Sequence, residues 1–284
     1  MVIRLERPQL ELDDIELVDR VVGERQNGRN REFFQIIHLQ WRERVARYVA
    51  AGGNPEQIER WTTVTEKTVG NSFRNLYLSP QADSIQKPIL DKLRERTLNL
   101  CPACGEDGTP NTLDHYLPKE YYPEFSVTTA NLFPMCDICQ GKKRSLTLSE
   151  EGERLFIHPY FDHFLDLQLI VLCIGGPFNA PSCFTLAPSE DLPSDIHALV
   201  ARHLVHLDIE ARYSHFFRDS YLQLLRLVRR IRSKGLDVLS QIELFRDMEL
   251  DKSVNSWRHV FYDGVLRNTD LMAYLEVEAD LPQV

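Results

Sequence analysis

Apolar side chains at Phe34, Ile37, Trp41, Val45 and Tyr48 recur every three or four residues, the period of one helix face. Gly52-Gly53 follows and is a natural stop, because glycine tolerates the left-handed turn that closes a helix. A second helical stretch, "SIQKPILDKLRERTLNL", runs directly into Cys101, so residues 9–98 read as mostly helical. Over 99–160 the pattern changes: glycine and proline punctuate it, and short β-prone runs replace the long helices. "DLQLIVLCIG" and "SCFTLAP" then read as two strands around the turn-prone "GPFNAP". From Ser194, a residue type that caps helix N-termini, helical periodicity returns through to about residue 275. The pattern predicts an α+β, predominantly helical chain with three regions. These are a helical N-terminal region over 1–98, a small centre over 99–160, and a β-hairpin plus helical C-terminal region over 161–284.

Composition narrows the class. With 43% hydrophobic and 26% charged residues the chain has the make-up of a soluble globular protein. No window approaches the roughly 18 uncharged apolar residues of a membrane span. "MVIRLERPQLELDD" lacks the apolar core of a signal peptide, so a cytoplasmic location is expected. Thiols stay reduced there, and clustered cysteines tend to bind metal. A net charge of −9 argues against a protein that coats nucleic acid nonspecifically. The balance reverses locally: "QGKKR" at 140–144 carries three positive charges and no negative one, and residues 218–234 carry six against one.

Cys101 and Cys104 form one C-x2-C pair, and Cys136 and Cys139 form a second after 31 intervening residues. Two such pairs suit one tetrahedral zinc held by four thiolates, and a closed site of that kind holds structure and does no chemistry. Cys173 and Cys183 lack this spacing and are expected to be buried apolar residues.

Between the pairs lie Asp114-His115 in "DHYLP", then Asn131 in "NLFPMCDIC", then Gln140 and Lys143 in "QGKK". In order, these pieces resemble the HNH endonuclease family, whose pattern runs C-x2-C, D-H-x-x-P, then N-L-x-x-x-C-x-x-C-N-x-x-K. The resemblance covers residues 101–145 and implies a zinc-stabilised ββα-metal core flanked by the helical regions. It implies that His115 is the general base, Asp114 a ligand of a catalytic Mg²⁺ or Mn²⁺, and Asn131 the residue that holds the loop and orients His115. The remaining ligand would come from position 140. Here the chain departs from the family: Gln140 stands where Asn or His is usual, and its extra methylene moves the amide oxygen by ~1.5 Å on a fixed backbone.

Phosphodiester hydrolysis explains why these residue types are wanted. It needs a base for water and a cation for the developing phosphate charge. Neutral imidazole serves the first, and carboxylate and amide oxygens are hard ligands for the second. Neighbouring residues of a strand point to opposite faces, so Asp114 and His115 can converge only where the strand distorts or ends. Pro118 supplies a reason for it to end. Lys142, Lys143 and Arg144 are candidates for phosphate contacts, with Lys119 a further one; the alternative for the run is a solvated helix face. "FIHPYFDHF" at 156–164 is expected to pack His158 and His163 against the core. The helix of Arg226, Arg229, Arg230 and Arg232, with Leu224, Leu227, Val228 and Ile231 on its other face, suits either a nucleic-acid grip or a surface helix. His203 and His206 have no third ligand nearby and are not expected to form a site.

The expectation is a DNA-cutting HNH nuclease. Stand-alone chains of this shape resemble effector nucleases of bacterial anti-phage defence systems such as Septu, which implies a protein partner with ATPase activity. The rivals are a zinc module that binds nucleic acid or protein without cutting, and an RNA-cutting toxin of the same fold.

Overall fold

The apolar stripe over 34–49 becomes the longest helix of its region, with Phe34, Trp41, Val45 and Tyr48 fully buried on one side. In the computed structural model of the chain the described residues are 3–24, 30–65, 67–181 and 183–277. The fold is α+β and mostly helical, and it divides into two compact units.

One unit comprises Arg4–Asn99 and Thr109–His163. Its helices are α1 (Asp14–Glu24), α2 (Arg31–Ala50), α3 (Thr62–Thr65), α4 (Lys67–Leu78) and α5 (Gln86–Arg94), followed by strands β1 (Thr112–His115) and β2 (Leu132–Met135) and helix α6 (Asp137–Lys143). Phe34 and Trp41 of α2 meet Phe73 of α4 edge to face, with ring centroids 5.3 and 4.9 Å apart. Such pairs contribute about 1 kcal/mol each beyond the area they bury. α2 ends as expected at a glycine pair: Gly52 and Gly53 have φ of +59° and +69°, and Gly53 N–H donates to Tyr48 O. A Cβ on Gly53 would lie 2.8 Å from the His158 ring and from Tyr48 Oη, so a side chain here would break the packing. α5 is shorter than its periodicity suggests. It stops at Arg94, and Thr97 Oγ1 turns back to Glu95 O, the local bond by which threonine competes with a helix.

β1 and β2 pair antiparallel, with Asp114 opposite Phe133 and His115 opposite Leu132. The strand ends at His115, three residues before Pro118. Between the strands, the Thr129–Asn131 turn is held from α1. Buried Asp14 accepts from Thr129 N at 2.5 Å, Thr129 Oγ1 at 2.8 Å and Ala130 N at 3.2 Å. Arg7 pairs with the same carboxylate at 2.8 Å. Burial raises the Asp14 pKa, and the hydrogen bonds from the Thr129 side chain and backbone oppose that rise.

The second unit comprises Met1–Ile3, Leu100–Gly108 and Phe164–Val284. It holds the predicted hairpin, β3 (Ile170–Ile174) antiparallel to β4 (Phe184–Pro188), and then α7 (Ser194–His206), α8 (Ile209–Ser233), α9 (Val238–Leu250), α10 (Trp257–Arg267) and α11 (Thr269–Val277). Ser182, first residue of the second predicted strand, lies outside the described residues. α10 crosses β3 at Gly264, where a Cβ would sit 2.7 Å from Leu172 O. Ser194 is the first helical residue of α7 and not its cap; Pro193 takes that position, without a side-chain cap bond. α8 is amphipathic, but Leu225 joins Leu224, Val228 and Ile231 in the interior while Leu227 is half-buried; Arg226, Arg229 and Arg230 are exposed. Cys173 and Cys183 correct the sequence expectation, because both are exposed. β3 buries Ile170, Leu172 and Ile174, and strand alternation turns Cys173 outward.

Replacing Asp14 by Ala strands three donors of the Thr129–Asn131 turn. The expected cost is ~3 kcal/mol, read as a lower urea midpoint at unchanged slope.

Candidate active site and cysteine cluster

Cys101, Cys104, Cys136 and Cys139 come together as the pairing predicts, with their sulfurs all within 4.8 Å of one another. Three are buried and Cys136 is half-buried. Four soft donors at this spacing fit a structural zinc. Each pair has its own support. Cys136 is the N-cap of α6, its Sγ accepting from Cys139 N at 3.4 Å. Gly105, with φ +75°, turns the 101–108 loop so that its N–H reaches Cys101 O at 2.8 Å. The loop's carbonyls are taken up by helices of its own unit. Trp257 Nε1 donates to Cys104 O at 2.6 Å, Trp257 N to Gly105 O at 3.1 Å, and His203 Nε2 to Ala103 O at 2.7 Å. His203 is thus a buried hydrogen-bond donor. Arg212 reaches Cys104 Sγ at 3.6 Å, pairs with Glu106, and stacks over Trp257. A cation at that sulfur offsets the excess negative charge that four thiolates leave on a divalent ion.

Asp114, His115, Lys119, Gln140 and Arg144 line one cleft of about 370 Å³, together with Pro118, Glu120 and Ser145. β1 delivers the first pair, and α6 with its following residue delivers Gln140 and Arg144. Asp114 is 5% exposed. Its Oδ1 accepts from Gln140 Nε2 at 3.3 Å. Its Oδ2 is 2.9 Å from Lys143 Nζ, close enough for an ion pair, yet off hydrogen-bond geometry and without any other partner. At that separation the two charges attract whatever the angle, since Coulomb energy depends on distance.

Lys143 is where α6 departs most from the sequence expectation. It is 1% exposed, and besides Asp114 it donates to His115 O at 2.7 Å. A short helix following directly on β2 has one turn facing the hairpin, and position 143 falls on that turn. Lys143 therefore braces the site from beneath and is not a surface phosphate contact. Lys142 and Arg144 are exposed, and Lys119 is half-buried beside Glu120. Of these, Lys119 and Arg144 border the cleft and Lys142 does not.

His115 Nε2 lies 3.0 Å from Ser126 O. A carbonyl only accepts, so Nε2 carries the proton and Nδ1 the lone pair. Burial first, and then the nearby Lys119 charge, lower its pKa to about 3, so the ring is neutral at physiological pH. Tyr77 packs edge-on against it, centroids 4.5 Å apart, with its hydroxyl on Leu113 O and Arg94 over its ring. Tyr77 belongs to α4, far up the chain from the motif, and no local signal marks it. Asn131 is fully buried behind the cleft: Nδ2 donates to Leu117 O at 3.0 Å and Phe125 O at 3.2 Å, and Oδ1 accepts from Leu117 N at 2.7 Å. His158 is buried and His163 exposed, so only the first packs inward.

No family model matches the chain, and no solved structure matches it. It is similar to "Protein ea31" of Escherichia phage lambda, with 26% identity over 189 residues, 60% of this chain. The chain spans 62% of that relative's length. No helix among the described residues is long and apolar enough to cross a membrane.

The purified protein is expected to carry one zinc per chain by elemental analysis, and Cys139→Ser to lose it and the cooperative thermal transition. Arg212→Met is expected to keep the metal but release it severalfold faster to a chromogenic chelator.

Proposed function

We propose that this chain is a metal-dependent HNH endonuclease that hydrolyses phosphodiester bonds of DNA. The observation that carries the reading is one cleft holding a neutral imidazole with a free Nδ1 and a buried carboxylate with one oxygen that accepts no hydrogen bond, edged by Lys119 and Arg144.

His115 is the general base. Its Nε2 proton is tied to Ser126 O, so Nδ1 takes the proton from water. Lys119 and Arg144 hold the flanking phosphates. Asp114 and Gln140 would hold the catalytic divalent ion, and Asp114 Oδ2, buried without a hydrogen bond, fits a hard cation. When bound, Mg²⁺ or Mn²⁺ supplies Lewis-acid stabilisation of the phosphate charge. Gln140 presents its amide nitrogen to Asp114, so its ligand role calls for the amide to turn over. The four-cysteine zinc holds the strands and α6 in register. By the family resemblance the products are a 5′-phosphate and a 3′-hydroxyl. The same resemblance extends the reading to a cytoplasmic effector of bacterial anti-phage defence that acts with an ATPase partner.

One observation favours a second reading, a zinc module that binds without cutting. Asp114 already has a cation beside it in Lys143 and an amide in Gln140, so the site is charge-balanced without an ion.

Cleavage of supercoiled DNA under Mg²⁺ or Mn²⁺ separates the two. His115→Ala is expected to lower the rate by ~10²–10⁴-fold with zinc content and melting unchanged. A wild type that cuts neither DNA, RNA nor tRNA but still binds DNA favours the second reading, and faster cutting of RNA or tRNA points to the toxin. Lys143→Met leaves Asp114 buried and unpaired, at a cost of about 3 kcal/mol. Mn²⁺ is expected to raise the melting temperature of that variant more than that of the wild type.

A further inference from the structure

The nuclease reading uses His115 and Asn131 but leaves the "HPYFD" stretch and the polar end of α2 without a task. They meet in the interior. His158 is fully buried, and its Nδ1 accepts from Tyr160 N at 3.2 Å. A neutral ring that accepts at Nδ1 carries its proton on Nε2. That nitrogen lies 3.1 Å from Tyr48 Oη. Tyr48, also fully buried, is left to donate its own proton to Asn131 Oδ1 at 3.0 Å, with Ala130 O second at 3.4 Å. The direction of every bond is therefore set. Burial supports it, holding the His158 pKa well below the ordinary range and the Tyr48 pKa well above it, so neither group changes charge.

The ends of this chain of bonds are fixed. The backbone N–H of His158 donates to Asp162 Oδ2 at 2.6 Å, and Asp162 is clamped by Arg154 at 2.9 Å. At the far end Asn131 grips both sides of the loop that sets the imidazole. It holds Leu117, two residues beyond His115, and Phe125, the neighbour of the Ser126 carbonyl that receives the His115 proton. Leu117 N and the two carbonyls already select one orientation of that amide. The Tyr48 hydroxyl adds a second donor to Oδ1 and holds the side chain in place.

We propose that Tyr48 and His158 are positioning residues for His115, acting through Asn131 to fix the side-chain amide and hence the ring tautomer that leaves Nδ1 free. The catalytic consequence rests on the nuclease reading; the tautomer control does not.

The test uses the whole chain purified with zinc, and two readouts. The first is a long-range ¹⁵N–¹H spectrum of the histidine rings. Wild type is expected to show His115 as the pure Nε2–H form, and Tyr48→Phe to show it mixed. The control Tyr213→Phe removes a different buried hydroxyl, the one on Trp257 O, and leaves His115 unmoved. The second readout is cleavage of supercoiled DNA under Mn²⁺, where Tyr48→Phe is expected to lower kcat by roughly tenfold or more at unchanged KM, as misplaced catalytic groups do. If Tyr48→Phe does not fold, His158→Gln, which keeps an amide donor and acceptor, takes its place with a smaller shift in the same direction. A His115 spectrum in the variants identical to the wild type overturns the proposal. If the wild type cuts nothing, the nuclease reading fails, and the spectrum still decides whether Tyr48 and His158 hold the ring.

Discussion

A lysine ammonium with 1% of its side chain exposed must find its partners inside the protein, and Lys143 finds two on adjacent residues of one strand. By binding the carboxylate of Asp114 and the carbonyl of His115 it ties the last turn of α6 to the end of β1. That tie sets where α6 lies, and so brings Gln140 within 3.3 Å of Asp114 and Arg144 to the cleft edge. Either charge alone would be costly in the interior; together they are tolerated only at close range and in this geometry. The cleft is a consequence of that pairing.

The helices before the motif do more than flank it. α1 sends Asp14 to hold the Thr129–Asn131 turn, α2 sends Tyr48 to Asn131, and α4 lays Tyr77 against His115. Each contact comes from a residue that sequence motifs do not mark, and Tyr77 helps bury a histidine that would otherwise titrate near neutrality. Burial and neutrality have the same cause here: a ring packed by tyrosine has little water to stabilise its cation, and the Ser126 carbonyl offsets that loss only in part.

The cysteine cluster is built in a comparable way. The spacing brings four sulfurs together, while the carbonyls around Cys101 and Cys104 are taken up by His203 and Trp257 and the charge is met by Arg212. These supports satisfy backbone groups that a tight, buried loop would otherwise leave unpaired.

Much of this was legible in the chain itself. Periodicity marked the stripe of α2 and its glycine stop, alternation marked the β3–β4 hairpin, and the C-x2-C spacing marked the sulfurs that cluster. Those features are local, governed by a helix turn, a strand pleat or the reach of a short loop. The sequence could not say that Lys143 turns inward, that Cys173 and Cys183 face solvent, or that Pro193 takes the cap of α7. Nor could it supply Tyr48, Tyr77 or Arg212, which reach their partners from positions far off in the chain. Which side of a helix is buried, and which distant group satisfies a buried donor, depends on what packs against it, and only the tertiary structure decides that.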